Sequence, residues 1–308
     1  MVSRKLIPVL ILASLLLAAC GGSAAPTSTG ALKVLASTSF LADIAQNVAS
    51  ERLRVASLLP VGADPHAYEA TPADVVKISE SNLLILNGLE YEHFIEPLLE
   101  NADGERLVIV ASTGLEPRKE EHAEEAETGH EHEAGDPHMW LDPNRVKAYV
   151  ENIRAGLIQA DPDGAETYQA NAGVYIAQLE QLDAWITAQV SQIPVERRLL
   201  VTNHEALGYF AERYGFSVVG TVIPSSSSGA TTSAQALAAV IDQVQAAGAP
   251  AIFLGEVENP TFANQIAAET GVTVVDDLYL ESLTDGPPAG TYIDMMKYNV
   301  TKIVEVLK

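Results

Sequence analysis

The sequence predicts an α/β protein of two similar lobes, each a parallel sheet flanked by helices, joined by one long rigid helix. Three observations predict it. Short Leu-rich or β-branched runs alternate with amphipathic stretches, and that rhythm recurs in the second half of the chain. Between the halves an unbroken helical pattern runs from Asp161 to Gln192. Strand–helix alternation argues for parallel strands covered on both faces.

In the first half, 32–36, 53–58, 83–87 and 107–110 read as strands, each apolar and bounded by turn residues. Helical spacing occupies 40–49, 72–79 and 94–101. In the second half the strands are 199–202, 218–222, 251–254 and 272–275, and the helices are 206–214, 233–247, 261–270 and 292–307. Asp161 suits a helix N-cap, Pro162 suits the first helical position, and Pro194 ends the run. The lobes are therefore expected at 32–160 and 194–308, with the linking helix at 161–193.

The first residues set the expected compartment. Arg4 and Lys5 precede an apolar run, 6–19, that is shorter than the roughly 20 residues of a membrane span. This order reads as a secretory signal over 1–19. Cys20 is the only cysteine, so an intramolecular disulfide is excluded. Leu17-Ala18-Ala19-Cys20-Gly21 resembles the bacterial lipobox, which implies acylation of Cys20 and stable anchoring by more than one chain. The Gly-, Ser- and Thr-rich stretch that follows reads as a tether, so 20–31 is expected to hold an extracytoplasmic body to the membrane.

The chain carries 41 acidic against 18 basic residues, a formal net charge of −23. Such a surface repels nucleic acid and anionic lipid, which excludes them as partners. A negative field attracts cations without choosing among them.

Seven histidines supply the choice. His122, His130 and His132 lie in a His- and acid-rich stretch, 118–136, which from Glu120 on has no large apolar side chain to pack. That composition is metal-binding, and loose gathering of ions is the expected role. Asp64-Pro65-His66 and Asp136-Pro137-His138 are the same triplet, and proline stiffens the turn that presents each histidine. His204 follows a strand at its carboxyl end, where open α/β sheets keep their ligand crevices. His93 sits at an exposed helix start and reads as surface.

A zinc-like ion wants about four N, O or S ligands, with Zn–N at about 2.0–2.1 Å. With no other cysteine, imidazole and carboxylate must supply them. Asp276, Asp277 and Glu281 all follow the last strand, and spacing leaves the three open as partners for the histidines. Because imidazole ligates only when deprotonated, affinity is expected to fall as pH drops through about 6.5.

Five strings carry a family resemblance: 59–66, 136–143 (Asp-Pro-His-Met-Trp-Leu-Asp-Pro), 202–206 (Thr-Asn-His-Glu-Ala), 278–283 and 290–299. Together they resemble the metal-binding lipoproteins of ABC importers for zinc and manganese, the cluster A-I solute-binding proteins, from about Leu32 to the C-terminus. The resemblance implies a metal buried between two lobes, with ligands His66, His138, His204 and Glu281. Relatives commonly have Asp where this chain has Glu281, and the extra methylene could make the carboxylate bidentate. Manganese-selective relatives tend to place a carboxylate at the position of His204, and zinc-binding members carry a similar His-rich loop. Zn2+ is therefore the expected cargo, with Mn2+ as the alternative. The implied partners are an importer permease and its ATPase, reached by a monomeric receptor.

A secreted zinc hydrolase is the alternative of another class, with Glu205 as general base beside an open metal position. No His-Glu-x-x-His or Gly-x-Ser-x-Gly string occurs, and four ligands from two lobes close a site rather than open it. An adhesin or purely structural lipoprotein would explain the tether but not the ligand set.

Overall fold

Two four-stranded sheets, parallel throughout, carry the fold. The first has the order β2-β1-β3-β4, from β1 (Val34–Ala36), β2 (Val55–Ser57), β3 (Leu83–Leu86) and β4 (Leu107–Val110). The second has the order β6-β5-β7-β8, from β5 (Leu199–Thr202), β6 (Ser217–Thr221), β7 (Ala251–Gly255) and β8 (Thr273–Leu278). The structure is a computed structural model that describes residues 32–119, 135–223 and 232–308. The central strands β3 and β7 are buried along their whole length, as strands covered on both faces must be.

The helices alternate with the strands as the pattern requires: α1 (Ser39–Ala49), α2 (Pro72–Glu80) and α3 (Ile95–Asn101) in the first half. In the second are α6 (Gly208–Tyr214), α7 (Ala234–Ala247), α8 (Thr261–Thr270) and α9 (Tyr292–Leu307). Strand and helix ends depart from the sequence expectation by a few residues.

The middle of the chain holds more than a single strut. A helix that the strand–helix pattern did not single out, α4 (Pro143–Ala160), precedes the long one. Asp142 caps it, accepting from Asn144 N at 2.8 Å, and Pro143 occupies its first turn. The expected run from Asp161 opens with one 3-10 turn, Pro162–Gly164, and becomes α-helical only as α5 (Ala165–Val190). Asp161 takes the bidentate guanidinium of Arg52 and the hydroxyl of Tyr168, which tie the turn to the bend after α1 and to α5. α5 packs against α4, α1 and α9 at once, so it is a shared spine for both sheets.

The largest apolar cluster accordingly draws on both halves. Phe40, Ile44, Ile85 and Trp140 belong to it together with Leu200, Phe253, Leu278 and Tyr292, all buried. Two smaller clusters fill the outer faces, one around Leu58, Ile78 and Leu84, the other around Val201, Ile252 and Ile266. No helix among the described residues is long and apolar enough to cross a membrane.

Candidate metal centre

The twin triplets fold alike. Asp64 Oδ1 accepts from His66 N at 2.9 Å, and Asp136 Oδ1 accepts from His138 N at 2.9 Å, so each aspartate makes the same Asx turn over its proline. His66 follows β2, His204 follows β5 and Glu281 follows β8, all beyond strand carboxyl ends. His138 instead stands before the 3-10 turn Met139–Leu141 that leads into α4. Asn87 anchors that turn: its amide donates to Pro137 O at 3.0 Å, and Tyr149 donates to its Oδ1 at 2.6 Å.

These four side chains converge. One donor atom from each of His66, His138, His204 and Glu281 lies within 4.8 Å of all the others. Glu281 Oε1 stands 3.4 Å from His204 Nε2, 3.5 Å from His138 Nε2 and 3.8 Å from His66 Nε2. The two ring nitrogens of His138 and His204 are 3.3 Å apart. A tetrahedron with bonds of about 2.0–2.1 Å has edges of about 3.3–3.4 Å, close to the three distances among His138, His204 and Glu281, with His66 standing somewhat farther out. The side chains are 0–1% exposed. His66 Nε2 and Glu281 Oε1 nevertheless lack a hydrogen-bond partner, which is costly in so buried a place.

Two imidazoles are held from behind. His138 Nδ1 meets Asp136 Oδ1 at 2.9 Å, and His204 Nδ1 meets Glu258 Oε1. Such pairing fixes the ring orientation and leaves Nε2 facing inward. Glu258 is itself held by Gly255 N at the end of β7. His66 Nδ1 has no hydrogen-bond partner.

The electrostatics follow from this layout. Burial pulls the His204 imidazole down, but Glu258 and then Glu281 beside it push it up to about 10. His138 is raised in the same way, burial being outweighed by Asp136 and Glu281. Burial governs His66, which is lowered despite Glu281. Burial alone would raise Glu281, yet the three imidazoles hold it well below the usual carboxylate range.

The other candidates fall elsewhere. Asp277 pairs with Lys302 at 2.6 Å and Tyr298 at 2.7 Å, and Asp276 is exposed, so neither reaches the histidines. Glu205 lines a cleft with Thr202 and Glu212 outside the four-residue group. His93 is exposed. Cys20, His122, His130 and His132 lie outside the described residues. Sequence reasoning missed Glu258 and Tyr91, whose hydroxyl donates to Glu281 Oε2 at 2.7 Å. The crevice rule that found His204 would have found Glu258, which sits just past β7; Tyr91 left no signal in its spacing.

The family model of the periplasmic component A of the zinc-uptake complex matches residues 34–306. The chain belongs to this family. Members are the substrate-binding proteins of metal ABC importers, not enzymes, and work with a permease and an ATPase. This member is 36% identical to the manganese-binding lipoprotein of Halalkalibacterium halodurans, over 97% of each chain. It is 33% identical to an iron-binding protein of Yersinia pestis, over 89% of this chain and 85% of that one. The periplasmic zinc-binding protein of Treponema pallidum superposes with a TM-score of 0.78 at 26% identity, covering 90% of this chain and 99% of that one.

Proposed function

We propose that this family member captures Zn2+ through His66, His138, His204 and Glu281 and delivers it to its importer, held at the membrane through acylated Cys20. The observation that carries the reading is the set of four buried donor atoms, two without hydrogen-bond partners, at spacings of a four-coordinate ion. Three imidazoles suit zinc better than manganese, which favours oxygen ligands and higher coordination. Glu281 turns Oε1 to the three imidazoles, while Tyr91 donates to Oε2. The second reading is Mn2+, favoured by the likeness to the manganese-binding lipoprotein of Halalkalibacterium halodurans.

Metal content and competitive affinity of the body from residue 32 onward decide between them, with wild type beside His204→Glu. One tightly held zinc per chain, lost or shifted towards manganese in the variant, supports the proposal. Manganese retained over zinc by the wild type overturns the choice of metal. Zinc binding untouched by the substitution overturns the ligand set.

A further inference from the structure

Tyr91 is placed at unusual conformational expense. It follows Gly88, Leu89 and Glu90, whose φ values are 91°, 56° and 58°. Leucine and glutamate rarely adopt the left-handed region, and residues held there cluster at functional sites. The loop is imposed by Glu92, a buried carboxyl that accepts from Asn87 N at 2.6 Å, Gly88 N at 3.1 Å and Ser37 Oγ at 2.7 Å. The result is a fully buried ring wedged between Trp140, at a 4.8 Å centroid distance, and His66, in a T-shaped contact at 5.3 Å. Its hydroxyl donates to Glu281 Oε2 at 2.7 Å.

Glu281 Oε1 faces the three imidazoles while Oε2 is engaged by this hydroxyl. A carboxylate so divided presents Oε1 to an ion and has Oε2 tethered by the hydroxyl. Four-coordinate zinc needs no more, whereas manganese gains from a second oxygen and from a fifth or sixth ligand. The ring packing alone does not require a hydroxyl, since phenylalanine would fill the same space. We propose that Tyr91 is a specificity-determining positioning residue: its hydroxyl holds Glu281 to one-oxygen ligation and so sets the preference for zinc over manganese. This rests on the ligand set proposed above.

The test is Tyr91→Phe in the body from residue 32, with zinc and manganese affinities measured by competition against a chromophoric chelator. Removing a partner that orients a ligand typically changes metal affinity by about 10–100-fold. The zinc-to-manganese affinity ratio is expected to fall by about tenfold or more, with manganese weakened less than zinc or strengthened. Equal loss for both metals, or no change in the ratio, makes Tyr91 structural only and overturns the proposal. A parallel Glu281→Gln variant separates the two readings. If it binds both metals like the wild type, the ligand set itself fails; if it loses them while Tyr91→Phe keeps the ratio, only the role of Tyr91 fails. Should Tyr91→Phe not fold, X-ray absorption on the zinc-loaded wild type decides. A four-coordinate ion with one carboxylate oxygen is expected, and a bidentate carboxylate overturns the proposal.

Discussion

His138 and His204 each carry a carboxylate behind Nδ1, and their protons are therefore harder to remove than those of free imidazole. This changes the pH dependence expected from composition. An ion that takes Nε2 of His204 competes with a proton held up to about pH 10, so affinity should keep rising with pH through neutrality instead of levelling off above about 6.5. Zinc titration calorimetry near pH 7 in buffers of different ionisation enthalpy checks this. Net proton release on binding is expected, and a buffer-independent enthalpy would contradict it. The sign for stability without a cation is the reverse. His204 is raised on folding, so its charged form contributes fully below about pH 6.5 and that contribution is lost as pH rises through about 10.

Among the elements, α4 shows how close packing sets what the lobes can tolerate. Gly156 lies in the middle of this helix and is buried. A Cβ built there would sit 2.0 Å from Ile109 Cδ1 and 2.4 Å from its Cγ1, so the glycine is what lets α4 lie against β4. Gly156→Ala gains helix propensity but overpacks the contact, and a net loss of about 1–3 kcal/mol is expected in chemical denaturation. A neutral or stabilised variant would mean that Ile109 moves aside freely. The long helix α5 is read differently once its contacts are known. Its apolar residues Tyr168, Ala172, Tyr175, Leu179, Leu182, Ile186 and Val190 recur at three- and four-residue spacing, the stripe of a packed helix.

At the scale of the whole molecule, the two sheets share one apolar cluster and are stitched beside the metal centre. Ser282 Oγ accepts from Gly62 N at 2.8 Å, Ser39 Oγ accepts from Leu283 N at 2.9 Å, and Trp140 Nε1 donates to Leu280 O at 2.9 Å. Each joins an element of the first half to the segment that carries Glu281. Residues 32–308 should therefore unfold in a single calorimetric transition, with calorimetric and van't Hoff enthalpies equal. Two resolved transitions would show that the lobes fold independently. The same stitching favours small adjustments around the ion over wide opening of the lobes.

Much of this was written in local pattern. Strands buried on both faces must be apolar throughout, and helices must show a stripe, so the element order and the two parallel sheets were legible residue by residue. The start of α4 carried the same Asp-Pro signal as Asp161, yet alternation of strand and helix has no place for two consecutive helices. Three of the four converging side chains were marked by twin triplets and by a strand end. Which of Asp276, Asp277 and Glu281 joins them was undecided by spacing: β8 runs on through Leu278, so both aspartates lie within the strand, Asp277 paired with Lys302 and Tyr298, and only Glu281 lies beyond it. The position of Glu258 past β7 was open to the crevice rule, but its pairing with His204, 54 residues distant in sequence, and that of Tyr91 with Glu281, 190 residues distant, belong to tertiary structure alone. Periodicity reports which face of an element is buried, but only the folded chain decides which distant polar groups meet inside it.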